Sequence, residues 1–474
     1  MSDVKEIDFL YQDKMNEECG VFGVINVNQA SEVMYYGLHA LQHRGQEGCG
    51  IVSSDGNRFY QFKGEGLVTE IFNENNIKEL KGDAAIGHVR YSTIGGGGIE
   101  NVQPFLFKHS TGDFGLCHNG NLVNSKELKK ELETHGSIFQ STSDSEIFAH
   151  LVKKDTQKDR QRAIRDALHQ IEGAFAFLAL DKEKIYIMRD KNSLRPLSLG
   201  ELNGGYVISS ETCAFEAVGA KYIRDIKPAE ILIIDRKGQM ISDSYAEKTY
   251  SNMCAMEYIY FSRPDSDIEK VNVHASRKEA GKILAREAPV DADVVVWVPD
   301  SSVSASIGFS EESGIPSEMG LVKNRYVGRT FIKPSQILRE KGVKMKLSAI
   351  PSNVEGKRVV LVDDSIVRGT TSKKIIKLLR DAGAKEVHMR IAAPPITHPC
   401  VYGVDTSTYD ELLAAKYSIE EMRKIIDADS LAFISEAGIL QACNRKKMCM
   451  SCFNGRYPTY LYNAIKDANK DGKF

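Results

Sequence analysis

Asp363 and Asp364 stand side by side at the end of the run Arg358-Val359-Val360-Leu361-Val362, and Ser365-Ile366-Val367-Arg368-Gly369-Thr370-Thr371-Ser372 follows them. The apolar run has strand length and Lys373 to Ala382 has a helical pattern, so the small polar residues between them form a strand-to-helix turn. That arrangement suits a sugar phosphate. Backbone N–H groups at a helix start cradle a phosphate. Two carboxylates at a strand tip accept hydrogen bonds from neighbouring ribose hydroxyls. Acids are common at strand ends of doubly wound sheets, but a paired acid followed by Arg-Gly-Thr-Thr goes beyond that background.

Sulfur is the second resource. Cys449-Met450-Ser451-Cys452 is a CxxC, with Cys400 and Cys254 well upstream and Cys443 close by. The spacing allows zinc, an iron–sulfur cluster or a redox pair. Cys19 opens the apolar run Gly20-Val21-Phe22-Gly23-Val24, where a lone cysteine is ordinarily a buried small hydrophobe. Cys49, Cys117 and Cys213 lack such company and read as buried thiols. Nine cysteines in 474 residues are too sparse for a disulfide framework.

The elements that must position these groups fall into two regimes. From Cys19 to about residue 250 the chain is rich in short apolar or alternating runs: Cys19–Val27, Ala174–Leu180, Lys184–Arg189, Tyr206–Ser210 and Ile231–Asp235. Helical periods at Ser145–Lys153 and Arg162–Ile171 predict layered sheets flanked by helices. From about residue 251, Ala292–Val298, Lys357–Val362 and Glu386–Ala392 are near-continuous apolar strands with helical stretches around them, the pattern of a parallel sheet with crossover helices. No Gly/Pro linker marks the boundary near Tyr250, so the halves are expected to share an interface.

Composition narrows the partners. Lys and Arg total 62 against 64 Asp and Glu, for a net charge of −2, which gives no electrostatic reason to expect nucleic acid or a membrane surface. No apolar run approaches the ~20 residues of a membrane helix. Residues 1–18 are acidic (Asp3, Glu6, Asp8, Asp13, Glu17, Glu18) and lack the basic start and apolar core of a secretory signal. A cytoplasmic address is the expectation.

In the first half, His88-Val89-Arg90-Tyr91-Ser92-Thr93, His118-Asn119-Gly120-Asn121-Leu122, Ser143-Asp144-Ser145-Glu146 and Leu41-Gln42-His43-Arg44-Gly45-Gln46-Glu47 follow Cys19 in an order that resembles the glutaminase domain of class II glutamine amidotransferases. The resemblance implies the αββα sandwich of N-terminal-nucleophile hydrolases, with residues 1–18 removed as a propeptide. The thiol of a terminal Cys19 would attack the glutamine amide. Its α-amino group, with a reference pKa of ~7.7–8.0 against ~10.4 for lysine, would serve as base. Asn119 and Gly120 would form the oxyanion hole, Arg90 would hold the glutamine α-carboxylate, and Asp144 its α-ammonium. Taken singly, Arg90 could be a surface ion-pair residue, Asn119-Gly120 a turn and Asp144 a helix cap.

In the second half, the Asp363-Asp364 segment resembles the phosphoribosyl pyrophosphate (PRPP) motif of type I phosphoribosyltransferases. The resemblance assigns Asp363, Asp364, Ser365, Arg368, Gly369, Thr370 and Thr371 to PRPP. Val298-Pro299-Asp300-Ser301-Ser302 resembles the pyrophosphate loop, so one Mg²⁺ would meet Ser301, Asp363 and Asp364, an oxygen donor set this hard cation prefers. Arg325, Arg329 and Lys333 lie in a basic stretch that resembles a flap closing over PRPP, with Arg329 the candidate contact. The contexts of Cys254, Cys400, Cys449 and Cys452 resemble the [4Fe–4S]-binding branch of the same family.

The chain from Cys19 onward thus resembles the glutamine PRPP amidotransferase family, with a glutaminase domain at 19–250 and a phosphoribosyltransferase domain at 251–474. That implies formation of 5-phosphoribosylamine from glutamine, PRPP and water at the entry to purine synthesis, feedback by purine nucleotides, and a homotetramer. Two other readings stay open at this level: a different class II amidotransferase, against which the paired acids speak, and a PRPP-sensing regulator of nucleic acid, against which the near-neutral charge speaks.

Overall fold

The computed structural model describes residues 19–91, 98–110, 112–154, 159–324, 347–406 and 408–462. The leader at 1–18, Ser92 and Thr93 of the second motif, and the flap cations Arg325, Arg329 and Lys333 lie outside the described residues.

The strand Gly20–Ile25 is buried along its whole length because it has covering layers on both sides. Side chains on a strand alternate between faces. Val21 and Ile25 join Cys117, Ala176, Leu178, Ile187 and Leu232 in a core shared by two sheets. Phe22 and Val24 point the other way, onto Met34 and Leu38 of the helix Ala30–Ala40. The first sheet has seven strands and places Gly20–Ile25 between Gly205–Ser209 and Ala84–Arg90, both antiparallel to it. The second has six, with Phe114–Leu122 antiparallel to Gly173–Leu180 in its middle. Its outer face carries the helices Ser125–Thr134, Ser145–Lys153 and Arg160–Leu168 through Leu128, Phe148, Ile164 and Phe177. The result is the αββα sandwich expected from the sequence.

The second half centres on four parallel strands in the order Val294–Trp297, Arg358–Asp363, Glu386–Ile391, Ser430–Phe433. Helices cover both faces, so the strands read as continuous apolar runs. The loop Trp297–Ser302 and the end of Arg358–Asp363 lie at the same carboxyl edge, where ligands bind in open α/β sheets.

The two halves are sewn together. Residues 250, 252 and 254 donate backbone N–H groups to the carbonyls of Lys191, Asn192 and Leu194. Arg189 pairs with Glu269, and Glu211 accepts from the Ser266 hydroxyl and the Arg263 amide. No helix among the described residues is long and apolar enough to cross a membrane.

Candidate functional site

Two edges carry the chemistry. At the first, Cys19 precedes the strand Gly20–Ile25, its Sγ 3.8 Å from the Tyr91 carbonyl. Arg44 donates from Nε to the Cys19 carbonyl at 3.2 Å. The neighbouring strand brings His88 opposite Val21, and the His88 imidazole lies 3.0 Å from the His118 carbonyl in the facing sheet. The Cys19 edge therefore lies over the Asn119–Gly120 stretch. Burial pushes the His88 pKa down to about 3, so its ring is neutral.

Asn119 is fully buried, and neither its Nδ2 nor its Oδ1 has a hydrogen-bond partner among the described residues. Buried amides are rarely left so. Gly120 has φ 139°, and a Cβ there would lie 2.0 Å from the Ala174 carbonyl oxygen, so this position requires glycine.

Arg90 is 7% exposed and ends the strand Ala84–Arg90, which rules out a surface ion-pair residue. Asp144 immediately precedes the helix Ser145–Lys153 but makes no side-chain cap. Its Oδ2 instead accepts from the Leu122 amide at 2.8 Å, and its Oδ1 lies 3.5 Å from His118 Nδ1. The carboxylate is therefore directed at the strand Phe114–Leu122 rather than spent on its own helix.

At the second edge, Asp363 and Asp364 are 2% and 3% exposed. The Ser302 hydroxyl donates to Asp363 at 3.0 Å, and the Ser365 hydroxyl to Asp364 at 2.7 Å. Ser301 donates to the other Asp364 oxygen. The helix Thr370–Asp381 opens at Gly369, whose φ of 78° is left-handed, so the N-cap supplies no side-chain acceptor and the backbone turns freely. Arg368 lies beside this turn and pairs with Glu411 at 3.1 Å.

Cys254, Cys400, Cys449 and Cys452 line one pocket together with Leu194, Arg195 and Tyr402. Backbone pairing of Cys254 with Cys449 helps bring them there. Desolvation and, behind it, the charges of Cys254, Cys400 and Cys449 push the Cys452 thiol well up. Cys443 instead lines a different cavity, beside Ser301 and Asp364. Among the described residues no group of three or more His, Cys, Asp or Glu is arranged to hold a metal ion as it stands. Cys49, Cys117 and Cys213 are buried, and burial lifts the Cys49 thiol to about 12.

Three residues carry more than sequence alone revealed. Arg44, in a quoted motif but without a role, spans from the Cys19 carbonyl to Glu211 and Glu257. His118 aligns Asp144 and Ser145. Ser302 fixes Asp363. His118 and Ser302 stand beside residues that the sequence singled out, but their partners, like those of Arg44, are remote in the chain.

Family models match in both halves: the glutamine amidotransferase domain over residues 88–217 and the phosphoribosyl transferase domain over 299–412. The amidophosphoribosyltransferase of Bacillus subtilis is 54% identical over 455 residues, covering 94% of this chain and 95% of that protein. The Staphylococcus aureus amidophosphoribosyltransferase is 49% identical over 457 residues, covering 95% and 92%. A solved glutamine PRPP amidotransferase from B. subtilis, complexed with ADP and GMP, superposes with a TM-score of 0.90 over 94% of this chain and 98% of that one. Two remote chemistries joined in one chain, matched from end to end at this identity, place the protein in the amidophosphoribosyltransferase family.

Proposed function

We propose that this chain converts glutamine, PRPP and water to 5-phosphoribosylamine, glutamate and pyrophosphate, the first committed step of purine synthesis, with residues 19–250 as the glutaminase and 251–474 as the phosphoribosyltransferase. The observation that carries the residue assignment is Asn119, whose fully buried amide has no partner of its own among the described residues. An oxyanion is the partner such a donor awaits. Cys19, freed of residues 1–18, attacks the amide carbon, and its α-amino group takes the thiol proton and passes it to the departing ammonia. Asn119 Nδ2 and the Gly120 N–H stabilise the tetrahedral oxygen. Arg90 and Asp144 hold the amino-acid end.

In the second half, Asp363 and Asp364 receive the ribose hydroxyls. Ser365, Arg368, Gly369, Thr370 and Thr371 wrap the phosphate, and Arg329 is assigned to the flap. A Mg²⁺ held by Ser301, Asp363, Asp364 and substrate oxygens would neutralise pyrophosphate charge; the oxygen-only donor set fits it. Ammonia must stay neutral to attack C1, which favours an apolar path. The apolar side chains of Ile259, Ala280, Ala305 and Ile439, which line the pocket beside Ser301 and Asp364, support that route.

The four cysteine thiols would hold a [4Fe–4S] cluster. Four soft donors line one pocket, three of them oppose the ionisation of Cys452, and a cation would stabilise the set as thiolates. The cluster is assigned a structural part, since neither half-reaction moves electrons. Purine nucleotides are the expected feedback ligands and a homotetramer the expected assembly.

The test is glutamate release with and without PRPP, on the mature protein and on Cys19→Ala. Loss of glutamine-driven but not ammonia-driven product supports the reading. An active protein whose mass retains Met1 or Ser2 overturns it. Zinc without iron after anaerobic purification overturns the cluster assignment alone.

A further inference from the structure

We propose that Arg195, a residue of the first half, is the counter-cation of the four-cysteine pocket, and that its charge sets how firmly the pocket retains a cluster and at what potential that cluster is reduced. This rests on the cluster assignment above. Besides the four cysteines, the described residues lining the pocket are Leu194, Arg195, Met256, Tyr402, Val404 and Ser451. Arg195 is the one cation among them, and no acid accompanies it. Its side chain is fully buried.

The fold carries this arginine to the cysteines from two directions. The Cys254 amide donates to the Leu194 carbonyl at 3.3 Å, so Arg195 follows directly on the residue that anchors Cys254. The Arg195 carbonyl accepts from Arg189 Nε at 2.8 Å, which fixes its backbone. The guanidinium then crosses to the opposite wall, where Nη2 donates to the Tyr402 carbonyl. The Tyr402 amide in turn donates to Cys400 Sγ at 3.3 Å. On a third side the Ser451 hydroxyl lies 3.3 Å from Cys449 Sγ. Hydrogen-bond donors thus meet two of the four sulfurs, the outer-shell support that orients metal-bound ligands.

The competing role for Arg195 is an ordinary ion pair at the seam between the halves. Glu257 is the carboxylate within reach, 3.6 Å from Nη1, which is too long for a hydrogen bond. Arg44 already engages both Glu257 oxygens at 2.9 and 2.8 Å, and the Ser262 hydroxyl adds a third bond at 2.9 Å. Glu257 is therefore spent chiefly on Arg44, and the Arg195 charge is offered to the pocket. Four thiolates outweigh the positive charge of an iron–sulfur core, so the ligated group is an anion. A buried anion calls for a countercharge. A cluster's potential follows its net charge and the hydrogen bonds to its sulfurs, and reduction adds one more negative charge for the cation to stabilise.

The experiment purifies the full mature chain anaerobically as wild type, Arg195→Lys and Arg195→Gln. Lysine keeps the charge, whereas glutamine keeps a donor for Tyr402 and removes the charge. The readouts are iron and sulfide per chain, the half-time of iron release to a chelator, and the midpoint potential from an EPR-monitored titration. Arg195→Gln should release iron about tenfold faster, and its reduction constant should fall about tenfold, ~59 mV for one electron. Arg195→Lys should stay close to the wild type in both. The reverse order, with the glutamine variant close to wild type and the lysine variant shifted, would make Arg195 a tether for Tyr402 and overturn the proposal. Equal shifts, or equal loss of fold, in the two variants would overturn it as well. A wild type holding zinc or no metal refutes the cluster assignment and the proposal with it, whereas an iron–sulfur wild type beside an unshifted Arg195→Gln refutes the countercharge alone.

Discussion

Arg44 and Glu257, 213 residues apart in the chain, meet through two N–H···O bonds of 2.9 and 2.8 Å, with both side chains fully buried. The same guanidinium reaches Glu211 at 2.6 Å and the Cys19 carbonyl at 3.2 Å. Cys19, at the head of the strand Gly20–Ile25, is thus tied through Arg44 to a carboxylate of the other half. A buried pair contributes little net stability by itself, because desolvation offsets the attraction, but it is costly to break on one side. Its value here is register: Cys19 and the second half share one anchor.

Glu257→Ala leaves two buried guanidinium groups, Arg44 and Arg195, to the one buried carboxylate of Glu211, and an unfolding free energy lower by about 3–5 kcal/mol is expected. Denaturant melts of Glu257→Ala, Arg44→Met and the double variant check it. The double variant should lose less than the sum of the singles, since residues in direct contact couple by ~0.5–3 kcal/mol. Strict additivity would remove the pair from the account.

Asn119→Ala should lower glutamine-driven kcat by about 10²–10³-fold, the loss seen when one oxyanion donor is removed. The KM for glutamine should change little, because the donor acts on charge that develops in the transition state. Thermal stability should hold, because the side chain has no partner among the described residues to lose. Steady-state kinetics with glutamine, beside ammonia as an alternative nitrogen source, decide it. A large rise in KM would move Asn119 from catalysis to binding.

His88 predicts a pH signature. Its folded pKa is pushed down to about 3 by burial, against an ordinary 6.5 in the unfolded chain. Between those values the unfolded state binds the extra proton, so this group makes stability rise with pH and fall on acidification. Asp190 acts in the opposite sense, since burial lifts it to about 6 and stability falls as pH rises from about 4 through that value. The wild-type curve alone mixes the two. The difference between wild type and His88→Gln isolates the first, and it should slope by about 1.4 kcal/mol per pH unit around pH 5. A flat difference would mean that the ring is not buried neutral.

How much of this was legible in the chain follows from which interactions are local. The run Lys357–Val362 announced the observed strand Arg358–Asp363 because helices cover both faces of a parallel strand and leave it no polar residues. The strand Gly48–Ser54 did not announce itself, since Gly-Cys-Gly and two serines carry no alternation, and its burial comes from neighbours on either side. The helix Arg160–Leu168 starts earlier than its periodicity suggested because Asp159 caps it by accepting from the Arg162 amide. Four-residue Ser430–Phe433 was too short to read as the last parallel strand. Candidate site residues stand out where a motif is contiguous, as at Asp363-Asp364 and His118-Asn119-Gly120. The partners that orient them, Glu257 for Arg44 and Glu411 for Arg368, are chosen by tertiary contact and leave no mark on local spacing.

The carboxylates at the second edge give a prediction that separates the two half-reactions. Asp364 is almost fully buried, yet two serine hydroxyls, from Ser301 and Ser365, donate to its two oxygens. It is therefore held as an acceptor, aimed and desolvated before substrate arrives. Asp364→Asn replaces one acceptor oxygen by a donor facing a hydroxyl. It also removes the charge that would meet ribose or a cation. Hydrogen bonds to charged groups carry ~1.5–3 kcal/mol, so ammonia-driven synthesis should fall roughly 10- to 100-fold. Glutamate release without PRPP should stay at the wild-type rate, because Cys19, Asn119 and Asp144 are on the other edge. Ser301→Ala, which only loosens the aim of Asp364, should fall less. Asp364→Asn with undiminished ammonia-driven synthesis would show that the paired acids do not touch the sugar, and a parallel loss of basal glutaminase would show that they support the fold as a whole.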